Sequence, residues 1–303
     1  MNIKIIDAQS NTEAPIPVSL FDIPFDPLTQ AQTLAIITDR LEQGKSTRIV
    51  TINPEFVLTA EKNPEFKQVL QTADLHLADG AGILWATNFL KKITNYELRI
   101  TNWIGVTLEL IVSLLLFPFF PKRYQDPLPE RVTGSDLFAP LMNLLAQKSQ
   151  SIFLLGAAPG VAEAVANQFR IQHSAFRIHT YSGSPNESDA HHIIKLINDS
   201  QASALFVAFQ FPKQDTWIAE HLVKMPTIKV AMGVGGTFDF IVGGKHVGYG
   251  KFKARRAPQL FRNLHLEWLW RLVTQPYRLK RIFRATFGFI WKVYKEKLRI
   301  TNY

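Results

Sequence analysis

A chain of 303 residues with 47% hydrophobic content is long enough to bury one or two substantial cores. It holds no cysteine, which excludes disulfides and thiolate metal sites, and residues 1–17 lack the basic-then-apolar order of a secretory leader. The net charge of +9 is lopsided: from Lys245 onward there are 15 Lys and Arg against Glu267 and Glu296 alone, whereas in the remainder 23 acids outnumber 19 bases.

In chain order, residues 18–27 read as an entry strand and turn, and 29–43 as an amphipathic helix. A β-branched run over 48–52 then ends on Asn53-Pro54, where proline stops the strand and turns the chain. Thr51 lies two residues before Asn53, on the same side of the pleat. A further helix starts at Asn63-Pro64, and a second strand over 74–77 delivers Asp79-Gly80 to a loop. If the two strands are parallel, Thr51, Asn53 and Asp79 share one carboxyl edge, the place where open α/β sheets bind ligands. A carboxylate followed by glycine there suits a general base. A helix cap beside a turn glycine is the equally simple alternative.

A helix follows from about Ala81, and Arg131-Val-Thr-Gly-Ser-Asp136 leads into another ending near Gln147. Strands are expected over 151–155, 177–182, 204–208 and 229–233, with helices over 161–173, 187–200 and after Pro212-Lys-Gln-Asp215. Alternation at this spacing predicts the α/β class, a mostly parallel Rossmann-like sheet with helices on both faces. Gly156 and Gly160 open a helix whose amides favour anions, and Gly233-Val-Gly-Gly236 is a similar turn. Close helix–strand packing explains these glycines as well. No Asp-x-Asp, no histidine pair at helical ligand spacing and no P-loop is visible, so neither a metal nor another cofactor is expected.

The motifs Thr51-x-Asn53, Ala78-Asp79-Gly80, 131–136, 153–156, 212–215 and Gly233-Val-Gly-Gly-Thr-Phe-Asp239 occur in order, followed by Arg256-Ala-Pro258, Leu266-Glu-Trp-Leu-Trp-Arg271 and Pro276-Tyr-Arg278. Together they resemble the WecG/TagA/CpsF glycosyltransferase family (glycosyltransferase family 26). The resemblance implies an inverting transfer of an N-acetylmannosamine-type sugar from UDP to undecaprenyl-diphosphate-linked N-acetylglucosamine. It implies Asp79 as general base, Thr51 and Asn53 as a pocket motif, and Gln214 as the pocket glutamine. Gly80, Arg131, Gly134, Asp136, Gly156, Lys213, Gly233, Gly235 and Asp239 stand in its other motifs as substrate-binding candidates. Without a metal, the leaving diphosphate needs cations, and Arg255, Arg256, Arg271, Arg278 and Arg281 are the candidates. A non-catalytic nucleotide-sugar-binding or membrane scaffold protein is the competing reading, and a homo-oligomer stays open.

Four departures from the family pattern stand out. Phe209-Gln210-Phe211 replaces a small, glycine-containing run and is expected to narrow the pocket, Asp215 stands for the usual Glu, and the run between Ile241 and Arg256 is long. The largest is residues 88–129, read as an apolar insertion in place of a short loop. Its 18 nearly uncharged residues, 103–120, fall short of a bilayer span. Asn102, Gly105, Glu109 and Ser113 form a polar stripe along it, so an interfacial or re-entrant helix is expected ahead of a buried one, with a span last. The aromatic, basic residues 245–303 read as a helical membrane-associating appendage on a 1–244 core. This places the protein in the cytoplasm, on the inner face of an anionic membrane. Large apolar side chains without a nucleic-acid module argue against nucleic acid.

Overall fold

The computed structural model describes residues 16–91, 103–173, 175–243, 257–264, 266–274 and 279–301. A hairpin of β1 (Val18–Leu20) and β2 (Ile23–Phe25) leads into α1 (Gln30–Glu42). Thr29 and Gln32 cap this helix reciprocally: the Gln32 N–H donates to Thr29 Oγ1 at 3.2 Å, and the Thr29 N–H to Gln32 Oε1 at 2.9 Å. Next come β3 (Thr47–Ile52), α2 (Pro54–Ala60), α3 (Pro64–Gln71), β4 (Leu75–Ala78), α4 (Ala81–Lys91) and α5 (Trp103–Leu116). The second half runs α6 (Gly134–Gln147), β5 (Ile152–Gly156), α7 (Val161–Gln172), β6 (Ile178–Tyr181), α8 (Glu187–Ser200) and β7 (Ala204–Ala208). It continues with α9 (Lys213–His221), β8 (Val230–Gly233) and α10 (Thr237–Ile241). Four helices follow: α11 (Gln259–Asn263), α12 (Glu267–Thr274), α13 (Leu279–Phe283) and α14 (Phe289–Thr301), the last two joined by a π-helical stretch, Arg284–Gly288.

Six strands form one sheet in the order β4-β3-β8-β7-β5-β6, and every pairing is parallel. This is the expected α/β architecture, with the alternation of a sheet covered on both faces. Ile49, Leu75, Leu77, Ile152, Leu154, Phe206 and Met232 pack on one face with α6 and α7. On the other face, Val50, Ile52 and Ala78 meet α2, α3 and α4, while Phe153, Leu205 and Val207 meet α8 and α9.

The C-terminal helices are part of this packing. Phe289 and Val293 of α14 are buried in the same cluster as Trp85 and Phe89 of α4. Lys297 is 2% exposed, and its ammonium donates to Phe89 O at 2.9 Å, sits 3.7 Å from the Phe89 ring centroid and pairs with Glu109 of α5 at 2.5 Å. A lysine this buried is held by partners on two other helices.

The expected polar stripe of α5 exists and faces inward. Ser113 is buried, accepts from Trp85 Nε1 at 3.0 Å, and its carbonyl accepts from the Tyr124 hydroxyl at 3.0 Å. Thr107 shares a 2.7 Å hydrogen bond with the Tyr294 hydroxyl. The helix stops at Leu116, short of the expected 120, because Pro118 cannot continue it. No described helix is long and apolar enough to cross a membrane. Asn102 lies outside the described residues.

Candidate active site

Register along β3 and β4 builds the site. Ile52 pairs with Ala78, and the Asp79 N–H donates to Ile52 O at 2.9 Å, carrying the ladder one step past the strand. Asp79 and Asn53 therefore leave the sheet side by side at its carboxyl edge. Asn53 caps α2, its Oδ1 accepting from the Glu55 N–H at 2.9 Å and the Phe56 N–H at 3.3 Å. Both readings of Asn53 thus meet in one residue, a cap that also lines a cleft. Gly80 has φ +134°, and a Cβ there would stand 3.2 Å from Pro54 Cδ, so the loop lies tightly on the Asn53-Pro54 corner only as glycine.

Above this corner opens a cleft of about 470 Å³. Asn53, Pro54, Asp79 and Gly80 line it, with Arg131 and Arg281. Each arginine is met by a carboxylate: Arg131 donates to Glu267 Oε2 at 3.2 Å, and Arg281 forks onto Glu55 at 2.6 and 2.8 Å. The remaining wall is apolar, with Trp85, Leu114, Phe117, Ile282, Phe289 and Ile290. Asp79, two guanidinium groups each paired to a glutamate, and an apolar flank suit a ligand that joins a sugar, a diphosphate and a hydrocarbon.

Gln214, Gly233 and Gly235 meet at the neighbouring edge, outside that cleft. Gln214 is 4% exposed, and its Oε1 accepts from the Gly235 N–H at 2.9 Å. A Cβ on Gly233 would lie 2.5 Å from Gln214 Nε2 and 2.9 Å from Asp215 Oδ1, so both side chains would have to shift to admit one. Burial pushes the Asp215 carboxyl up to about 7, against the opposing pull of Gln214 and the Arg48 charge.

Thr51 is buried beneath the first turn of α6, where a Cβ on Gly134 would approach its hydroxyl to 3.1 Å. Asp136 in that turn accepts from the Thr133 hydroxyl at 2.7 Å and lies 4.0 Å from Arg262. Asp239 stands in α10, just past the Gly235 turn. Gly156 packs on the backbone of Ala208, and Lys213 is exposed at the start of α9; neither lines the cleft. Arg255, Arg256 and Arg278 lie outside the described residues, as does the side chain of Arg271 in α12. Of the five C-terminal arginines proposed for diphosphate, Arg281 is the one seen in the cleft.

Phe209 packs on Trp217 with ring centroids 5.8 Å apart, and Phe211 on Phe56 at 4.4 Å. Neither ring lines the cleft, but Phe211 lies beneath the cleft-lining Arg281, whose guanidinium is 5.9 Å from its ring centroid. Sequence reasoning missed Glu55 and Glu267. Glu267 sat in a quoted motif without a role, and Glu55 directly follows Asn53-Pro54, so the signal for both was adjacency to motif residues.

The profile of the family described as Glycosyl transferase WecG/TagA/CpsF family matches residues 18–112 and 119–303. The chain belongs to this family. A Bacillus spizizenii protein named N-acetylglucosaminyldiphosphoundecaprenol N-acetyl-beta-D-mannosaminyltransferase is 29% identical over 245 residues, 81% of this chain and 78% of that protein. A Staphylococcus aureus protein of the same name is 27% identical over 307 residues, 97% of this chain and 98% of that protein. The family match also bears on the reading of 88–129 as an apolar insertion, since within that stretch it leaves out only 113–118.

Proposed function

We propose that the chain is an inverting glycosyltransferase that moves an N-acetylmannosamine-type sugar from a UDP-sugar to undecaprenyl-diphosphate-linked N-acetylglucosamine, in the synthesis of a cell-surface polysaccharide or teichoic acid. The observation that carries this reading is Asp79 in the lining of a cleft that also holds Arg131, Arg281 and an apolar flank. Family membership and the names of the two relatives support it.

In the step proposed, an acceptor hydroxyl attacks the anomeric carbon from the face opposite UDP. Its proton passes to the Asp79 carboxylate as the new carbon–oxygen bond forms. The bond to UDP breaks, and its electron pair stays on the leaving diphosphate. Arg131 and Arg281 offset charge on a diphosphate, with Arg255, Arg256, Arg271 and Arg278 as further candidates. Thr51, Asn53, Gly80 and Gln214 shape the sugar and nucleotide pocket, together with the turns holding Gly134, Asp136, Gly156, Lys213, Gly233, Gly235 and Asp239. The apolar flank receives the start of the prenyl chain. We also propose that the basic residues of 245–303 hold the protein against the cytoplasmic face of the membrane, while the helices of this segment complete the cleft of the 1–244 core.

The test is turnover of UDP-N-acetylmannosamine with a short-chain lipid-diphosphate N-acetylglucosamine, the product's anomeric configuration read by NMR. A disaccharide of inverted configuration is expected. Donor binding without transfer would leave a nucleotide-sugar-binding protein in its place.

A further inference from the structure

We infer that the outward face of α5 is a membrane-docking surface, seated in the acyl edge of an anionic leaflet. A surface helix ordinarily turns its polar side to water. Here the order is reversed. Ser113 is buried and Glu109 is paired with Lys297, whereas Ile104, Leu108, Ile111, Val112 and Leu115 are 47–65% exposed along one stripe. Phe119 and Phe120 extend it, 72% and 51% exposed. An apolar patch of this extent on a chain's exterior marks an interaction surface.

Two observations select a bilayer as the occupant. At 1.5 Å per residue the 14-residue helix is about 21 Å long, too short for a span of about 30 Å and suited to lying in the interface. Exposed Lys122 and Arg123 follow directly, the Arg123 guanidinium 5.4 Å from the Phe120 ring centroid. Cations at the rim of an apolar face meet lipid phosphates when that face enters the acyl region. In a two-fold pairing of copies through the same face, each patch would meet its own like, bringing these cations together.

The surface also bears on the cleft, and this part rests on the glycosyltransferase reading. Leu114, Phe117 and Pro118, at the end of α5, line the cleft that contains Asp79. Ile282 and Phe287 line it from the other side, and the exposed Phe283 packs on Phe287 with centroids 4.6 Å apart. With α5 seated in the leaflet, the cleft opens at headgroup depth, where the diphosphate of a membrane-held acceptor lies.

The absence of cysteine supplies a direct test. An environment-sensitive fluorophore is attached to Ile111→Cys and, for reference, to Ile171→Cys on α7, where the native side chain is 85% exposed. On vesicles of phosphatidylglycerol and phosphatidylcholine, the label at 111 should shift to the blue and be quenched by brominated acyl chains, and the label at 171 should not. The paired exposed substitutions Leu108→Gln and Leu115→Gln should lower vesicle partitioning about tenfold or more and leave the melting temperature and turnover of a short-chain acceptor unchanged. A water-like label at 111 on vesicle-bound protein, or no binding to anionic vesicles, overturns the inference. So does a blue shift without lipid accompanied by a doubled mass in light scattering, which would assign the face to a second copy. The vesicle measurements need no sugar chemistry, so a failed transfer assay leaves them standing.

Discussion

Arg281 holds Glu55 with two hydrogen bonds of 2.6 and 2.8 Å, on the lining of the cleft that contains Asp79. The arginine best placed for a diphosphate is thus already engaged by a carboxylate with the same fork geometry. A phosphate entering here competes with Glu55. Glu55→Gln is expected to lower KM for a lipid-diphosphate acceptor severalfold with little change in kcat, because the pair is partly exposed and modest in strength. Steady-state kinetics at fixed donor would decide it; an unchanged or raised KM removes Glu55 as a competitor.

Asp79→Asn keeps the shape of the loop and removes its basicity. Donor binding by calorimetry should persist while turnover falls by about 10²–10⁴-fold. Near-normal turnover in the purified variant would take Asp79 out of the mechanism.

Gly233 and Gln214 are packed without room for a methyl group. Gly233→Ala is expected to cost about 1–3 kcal/mol of stability, the usual range for overpacking. Adding Gln214→Ala should recover part of that loss. A double-mutant cycle by denaturant unfolding measures the coupling, and strict additivity would mean that the strain lies elsewhere.

Asp215 gives a pH signature. Burial pushes its carboxyl up to about 7 in the folded protein, against an ordinary value of 3.8. Between about pH 4 and 7 the folded state therefore binds more protons than the unfolded state, and stability falls as pH rises. Asp215→Asn lacks this group, so its stability relative to the parent should grow across that window and level off above pH 7. A constant difference from pH 4 to 8 would show that Asp215 is ionised throughout.

The sheet was legible because its strands are short, apolar and bounded by turns, and α8 was read with its observed ends, Glu187 and Ser200. The Asn53-Pro54 corner and the Asp79 loop were readable from local backbone chemistry alone. The direction faced by α5 was not. Its polar stripe was visible at Gly105, Glu109 and Ser113, but the inward turn depends on Trp85 and Lys297, the latter 188 residues from Glu109. Glu55 and Glu267 were missed for the same reason, since their arginine partners lie 226 and 136 residues away. The burial of Phe289 and Val293 could not be foreseen from a stretch whose charge and aromatics describe a surface helix equally well.

The cleft joins residues 53–82 to residues 281–290, across most of the chain. Contacts of such separation carry a high loop-closure entropy and form late. The hydrogen-bonded sheet does not require them. In a gradual denaturant titration, undocking of the arm from α13 to α14 would therefore strip the cleft of a third of its wall while the sheet's circular dichroism held steady. The protein's working range is bounded by the attachment of one helical arm, well inside the range over which the rest of the molecule stays folded.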